Sequence, residues 1–157
     1  MYLMKESKRT NNGKQTEENV YMMRKLQMIN AVLFYGYNIL YSDIDVILFM
    51  NPFFNIPNKL EYQLLTENVN DDYGTGFMYI QATDGTQEMF KAMQQYLGLL
   101  PDKTDWELLR LFISNATFPD VKVKKLSVKF FQEGNVFYKT RQFYGDLYRI
   151  LIISFLF

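Results

Sequence analysis

At 157 residues, with 48% hydrophobic and 17% aromatic content, the chain carries enough apolar material for one globular domain. Seventeen basic and seventeen acidic residues cancel to zero net charge, which removes the long-range attraction that a nucleic-acid binder draws on. His and Cys are both absent, so imidazole bases, thiol nucleophiles, disulfides and His/Cys zinc sites are excluded, and chemistry is left to carboxylates, hydroxyls, amides, Lys and Arg.

In chain order, residues 1–15 are polar, contain Gly and Asn, hold no apolar stretch of signal-peptide length, and read as a flexible N-terminal segment. A helix follows from Thr16: Thr16 caps it, Glu17 and Glu18 suit the positive end of its dipole, and Met22, Leu26, Ile29 and Leu33 recur at helical spacing up to a stop at Gly36. Asn38 to Tyr41 and Val46 to Met50 are apolar, partly β-branched and close to Pro52, and read as strands flanking a pair of aspartates. Gly76 to Gln81 reads as a second buried strand. Helices are expected from Thr86 to Leu97, with Met89 and Met93 on the buried face and Gly98 as stop, and from Thr104 to Phe112, opened by a Thr104/Glu107 capping box.

Beyond them, Val121, Val123, Leu126, Val128 and Phe130 alternate with polar residues as one edge strand, with a bulge at Lys124 and Lys125. Its lysines Lys122, Lys124, Lys125 and Lys129 form a solvated face that discourages edge pairing. Residues 16–146 make the domain, and 147–157 an apolar tail ending "YRILIISFLF", short of the ~20 residues a membrane span needs. That tail is expected as a buried strand or a cut end, with the chain continuing beyond Phe157. Helices alternating with apolar strands indicate an α/β sheet sandwiched by helices.

"NILYSDIDVILFMNPFF" places Asp43 and Asp45 two residues apart inside an apolar run, where an unpaired ionised carboxylate costs several kcal/mol. Ligands of open α/β sheets bind at carboxyl ends of strands, and alternate residues of a strand face one side, so the two carboxylates are expected to converge. Together they suit a hard divalent cation that neutralises a diphosphate. Trp106 lies beside Leu108, Leu109 and Phe112 and is expected in the core rather than stacked on a sugar. "TDGTQ" is expected as a helix cap rather than a phosphate-binding turn, and Asn115-Ala116-Thr117 is a glycosylation sequon.

"GYNILYSDIDVILFMNPF" resembles the signature of the nucleotide-diphospho-sugar transferase family, which includes plant xylosyl- and arabinosyltransferases. "TGFMYIQATDGTQEMF" resembles that family's next block, and "FFQEGNVFY" a later one, so that the likeness spans Leu26 to Tyr138. The resemblance implies a GT-A-like doubly wound α/β sheet and a metal-dependent glycosyltransferase acting on a nucleotide-diphosphate sugar donor and a glycan or protein acceptor in the Golgi or secretory lumen. It further implies that Asp43 and Asp45 bind Mn2+ or Mg2+ on the donor diphosphate, that Thr75 and Gly76 line the donor or acceptor pocket, and that Asp105 keeps a catalytic role. Where the family has Asp-Gln, this chain reads Asp105, Trp106, Glu107, and no late His is present. Only 42 residues precede Asp43, which predicts an incomplete, inactive domain. Two other expectations compete: a noncatalytic homologue that retains the Asp-x-Asp strand, and a phosphotransferase of the haloacid dehalogenase type, whose first Asp is a nucleophile but whose pattern wants Thr or Val where Ile47 stands.

Overall fold

The computed structural model describes residues 17–44, 46–48, 50–57, 61–128, 130–133 and 150–152. Helix α1 spans Glu17–Phe34 and buries Met22, Leu26, Ile29 and Leu33, the residues expected from its period. It stops where Gly36 takes φ +78° and donates its amide to the Leu33 carbonyl at 2.9 Å, a left-handed conformation that glycine adopts without cost. The Thr16 cap falls outside the described residues.

Strands β1 (Ile39–Ser42), β3 (Leu64–Val69), β4 (Asp72–Ile80) and β5 (Val123–Lys125) form one sheet in the order β1-β4-β3-β5. The β1–β4 and β3–β4 pairs are antiparallel and β3–β5 is parallel, so the α/β fold is built on a mixed sheet. Strand β3 is absent from the sequence expectation. It joins β4 through a two-residue turn, Asn70 and Asp71, both with positive φ (50° and 66°), the conformation that matches the twist of a tight hairpin. Pairing with β3 also carries β4 back to Asp72, beyond the expected start at Gly76.

Helices α2 (Asp84–Leu99) and α3 (Asp105–Ser114) both begin with capping boxes, Thr83 with Thr86 and Thr104 with Glu107. The "TDGTQ" stretch is thus a helix cap, as expected. Gly98, expected to end α2, lies inside it, and a Cβ there would meet Met23 Cε of α1 at 3.6 Å, an ordinary contact. Strand β5 is three residues long rather than ten: the Leu126 amide still donates to the Thr66 carbonyl at 2.7 Å, but the chain then turns at Ser127, whose carbonyl accepts from the Phe130 and Phe131 amides at 2.9 Å, and Val128 is exposed. Its position at the sheet edge is as expected, and Lys129 lies outside the described residues.

The sheet divides two cores. On one face Tyr41, Leu64, Met78 and Ile80 pack against Leu26 and Ile29 of α1, Met89, Phe90 and Met93 of α2, and Leu109 and Phe112 of α3. Each fully buried side chain of this size contributes about 1.5–3 kcal/mol, so docking of the helices, rather than their own propensity, holds this layer. On the other face Leu65, Phe77 and Tyr79 meet Ile56, Leu126 and Phe131, with the Phe77 and Phe131 rings 5.5 Å apart. A small second sheet, β2 (Val46–Leu48), β7 (Ile150–Ile152) and β6 (Phe131–Glu133), has the order β2-β7-β6. The apolar tail therefore contributes a strand at Ile150–Ile152, while the rest of 147–157, residues 1–15 and the "GNVFY" part of the third family-like block fall outside the described residues. Among the described residues, no helix is long and apolar enough to cross a membrane.

Candidate functional site

Asp43 follows the carboxyl end of β1, an outer strand among the four described. Its amide donates to the Gly76 carbonyl at 2.7 Å, which extends the β1–β4 ladder by one rung and fixes the aspartate beside Gly76. The strand then gives way to a turn, in which the Asp43 carbonyl accepts from Val46 at 3.3 Å and Ile44 is fully exposed. Alternation along a strand therefore does not apply past Ser42, and Asp45 falls outside the described residues.

The Asp43 carboxylate has two different ends. Oδ1 accepts from the Tyr41 hydroxyl at 2.5 Å and the Tyr21 hydroxyl at 3.1 Å, with the Lys25 ammonium 4.0 Å away. Burial, and then the hydrogen bond to Asp43, push the Tyr41 hydroxyl well above its ordinary pKa, so it remains a donor at any physiological pH. Oδ2 faces Gly76. A Cβ on Gly76 would lie 3.0 Å from that oxygen and 2.8 Å from Glu67 Oε1, so the glycine keeps open a space between two carboxylates. Glu67 is buried, accepts from the Gly76 amide at 2.7 Å through Oε1, and would collide with a Cβ on Gly74.

Beneath this pair lies Lys25, 5% exposed. Its ammonium reaches Asp105 Oδ2 at 2.9 Å, donates to the Thr75 carbonyl at 2.7 Å and stands 4.7 Å from the centre of the Tyr41 ring. Asp105 is the first residue of α3, where the helix dipole favours an acid, and its Oδ1 accepts from the Trp106 amide at 2.8 Å. Among the described residues its other oxygen has no hydrogen bond of good geometry, and the charge there is met by the Lys25 ammonium.

Asp43, Thr75, Gly76 and Asp105, drawn from three separate stretches of sequence, line one cleft of about 570 Å³. Thr75 is buried and offers its carbonyl to Lys25. Trp106, expected in the core, is 40% exposed and lines the same cleft, because it falls in the first turn of α3 at the edge of the stripe that Leu108, Leu109 and Phe112 bury. The Asp43 and Glu67 carboxylates are hard oxygen donors of the kind Mg2+ and Mn2+ take, and among the described residues no group of three acidic, His or Cys side chains could hold a metal unaided.

The family model for nucleotide-diphospho-sugar transferases matches residues 1–150. The chain belongs to the nucleotide-diphospho-sugar transferase family. Comparison with curated proteins and with solved structures returns no match. Membership favours sugar transfer over phosphotransferase chemistry of the haloacid dehalogenase type, and a small mixed sheet flanked by helices is consistent with a nucleotide-sugar transferase fold.

For a member of this family, Lys25, Glu67 and Tyr21 are the cleft residues that sequence reasoning missed, together with Tyr41, which lies in the core and holds Asp43 from behind. Lys25 carries a readable signal, since it follows Met22 by three and so falls on the buried stripe of α1. Glu67 carries a weaker one: it continues the buried run Leu64, Leu65, Thr66 in a segment not taken for a strand.

Proposed function

We propose that the chain is a metal-dependent glycosyltransferase that moves a sugar from a nucleotide-diphosphate donor to a glycan or protein acceptor, with the donor diphosphate seated over Gly76. The observation that carries this is the charge of the cleft: among the described residues lining it, Glu18, Asp43, Glu67, Asp72 and Asp105 are acidic and Lys25 alone is basic. A diphosphate brought to this wall meets like charge, at about 4 kcal/mol for a close pair of unit charges near a protein surface. A bound divalent cation would reverse that sign and stabilise the charge of the departing diphosphate.

Asp43, through the oxygen that faces Gly76, is the first candidate to hold the cation; Asp45 is the second by its place in the motif, and Glu67 a third by position. Small hard cations are commonly bound by one or two carboxylates plus substrate phosphates, which suits a cleft whose described residues form no self-sufficient metal cluster. The tyrosines fix the Asp43 rotamer, and Gly76 keeps the approach open. Thr75, Gly76 and Asp43 thus form the donor side. Asp105 is committed to Lys25 and the Trp106 amide, so we assign it a positioning role: it holds the ammonium beside Asp43.

The test is thermal unfolding with UDP and GDP, with and without manganese, followed by transfer assays across UDP- and GDP-sugars. Nucleotide diphosphates should raise Tm only with the metal present, and Asp43→Asn or Asp45→Asn should abolish the rise and the transfer. Equal stabilisation without metal, or an unchanged rise in both variants, refutes the proposal. Metal-dependent binding without transfer to any acceptor would instead favour the noncatalytic homologue.

A further inference from the structure

Trp106 is the one tryptophan of the chain, and it is spent on the cleft wall rather than on the core. It shares this wall with Asp72, whose Oδ2 accepts from the Arg110 guanidinium at 3.0 Å; Arg110 itself stands just outside the lining, over the indole and 5.2 Å from its centre. Arg110 stands one helical turn after Trp106 on α3, while Asp72 opens β4, so helix and sheet jointly hold the three side chains together. The Tyr73 amide, and more weakly Arg110, hold the Asp72 carboxyl below the ordinary range, which keeps it an acceptor.

We propose that Trp106, Arg110 and Asp72 form a saccharide-binding subsite for the acceptor sugar at the rim of this cleft. A pyranose or furanose ring presents an apolar C–H face and an edge of vicinal hydroxyls. The indole supplies a flat apolar surface for the first, while the guanidinium donates to and the carboxylate accepts from the second. The acidic lining around it disfavours an anionic occupant, so the ligand class is a neutral saccharide. The proposal rests on the assignment of the cleft to sugar transfer and adds where the acceptor sits. A nucleobase of the donor is the competing occupant of such a platform.

Because Trp106 is the sole tryptophan, selectively excited indole fluorescence reports on this position alone. Wild-type protein is titrated with neutral trisaccharides of pentoses and of hexoses, without nucleotide or metal, and separately with UMP and GMP. At least one saccharide should give a saturable change in emission with a Kd at or below about 10 mM. By calorimetry, Trp106→Ala should weaken that saccharide about tenfold or more and Arg110→Ala about fivefold, while Trp106→Phe, which keeps a ring, should stay within about threefold of wild type. Thermal unfolding of each variant verifies that it is folded, which its exposed position favours. Emission unmoved by every saccharide, or moved only by the nucleotides, overturns the proposal, as does full saccharide affinity in Trp106→Ala. Asp43→Asn separates the two assignments: it should erase manganese-dependent stabilisation by UDP or GDP and leave the saccharide titration as in wild type. A loss of saccharide binding in that variant, with the fold intact, would count against a distinct acceptor subsite.

Discussion

Replacing Lys25 with Met keeps the length of the side chain and removes its charge, and the structure sets how much that should cost. Lys25 and Asp105 are 5% and 4% exposed, with Nζ and Oδ2 2.9 Å apart. Both border the cleft, but so little of either is exposed that water is a poor replacement for the lost partner. Breaking such a pair from one side leaves a buried carboxylate uncompensated, a loss of about 3–5 kcal/mol. The hydrogen bond to the Thr75 carbonyl goes as well, but its contribution overlaps and should not be added in full. For a chain of this size each kcal/mol lowers Tm by about 2–4 °C, so Lys25→Met should melt about 6–20 °C below wild type. The double variant Lys25→Met/Asp105→Leu, which removes both charges, should recover most of the loss and give a coupling of at least about 2 kcal/mol. Urea unfolding with an unchanged m-value measures both. A single-variant cost below about 1 kcal/mol, the value of an exposed pair, or a double variant no better than the single, would refute the claim that the pair is a closed internal one.

Gly76→Ala should cost about 1–3 kcal/mol by urea unfolding, because the new methyl would stand 2.8 Å from Glu67 Oε1 and 3.0 Å from Asp43 Oδ2. The same variant should lose manganese-dependent stabilisation by UDP or GDP, and wild-type affinity in it would place the ligand elsewhere. The Glu107 carboxyl is held below its ordinary value of 4.5, chiefly by the Thr104 amide with Lys103 adding to it, so its contribution is complete above that value and is lost as pH falls from there through the lower folded-state value. In Tm measured from about pH 7 to pH 3, Glu107→Gln should therefore show a shallower acid decline than wild type, and parallel curves would refute the capping argument.

The helices were the legible part of the fold, and the reason is local. Met22, Leu26, Ile29 and Leu33 form a stripe that no strand can use, and Thr104 with Glu107 satisfies two amides within four residues. Strand β3 was hidden for the opposite reason. Its Leu64, Leu65, Thr66 and Glu67 are all buried, without the alternation that marks a half-exposed strand, and its hairpin turn is Asn70-Asp71 with no glycine to announce it. Trp106 was misplaced because a hydrophobic neighbour in sequence need not share the buried face: Leu108, Leu109 and Phe112 centre the core-facing stripe of the helix, and Trp106 falls at its edge, beside the cleft. Asp43 was singled out by its place between apolar runs and Thr75, Gly76 and Asp105 through family likeness, and their meeting in one cleft depends on β1, β4 and α3 coming together, which no single stretch of sequence specifies.

An apolar run that contains an aspartate poses a problem of compensation, and the structure solves it on one side only. Asp43 Oδ1 is satisfied from within, by two tyrosine hydroxyls and a nearby ammonium that is itself anchored by Asp105. Those contacts belong to the fold and need no ligand. Oδ2 is turned instead toward the gap over Gly76, opposite Glu67, where a side chain of any size would intrude. Had both oxygens been satisfied internally, the carboxylate would be a structural group of no use to a ligand; had neither been, the desolvation cost would fall on the folded state. Splitting the two oxygens lets the same residue be held rigidly by the protein and remain available to a partner, which is the preorganisation that the proposed cation site requires.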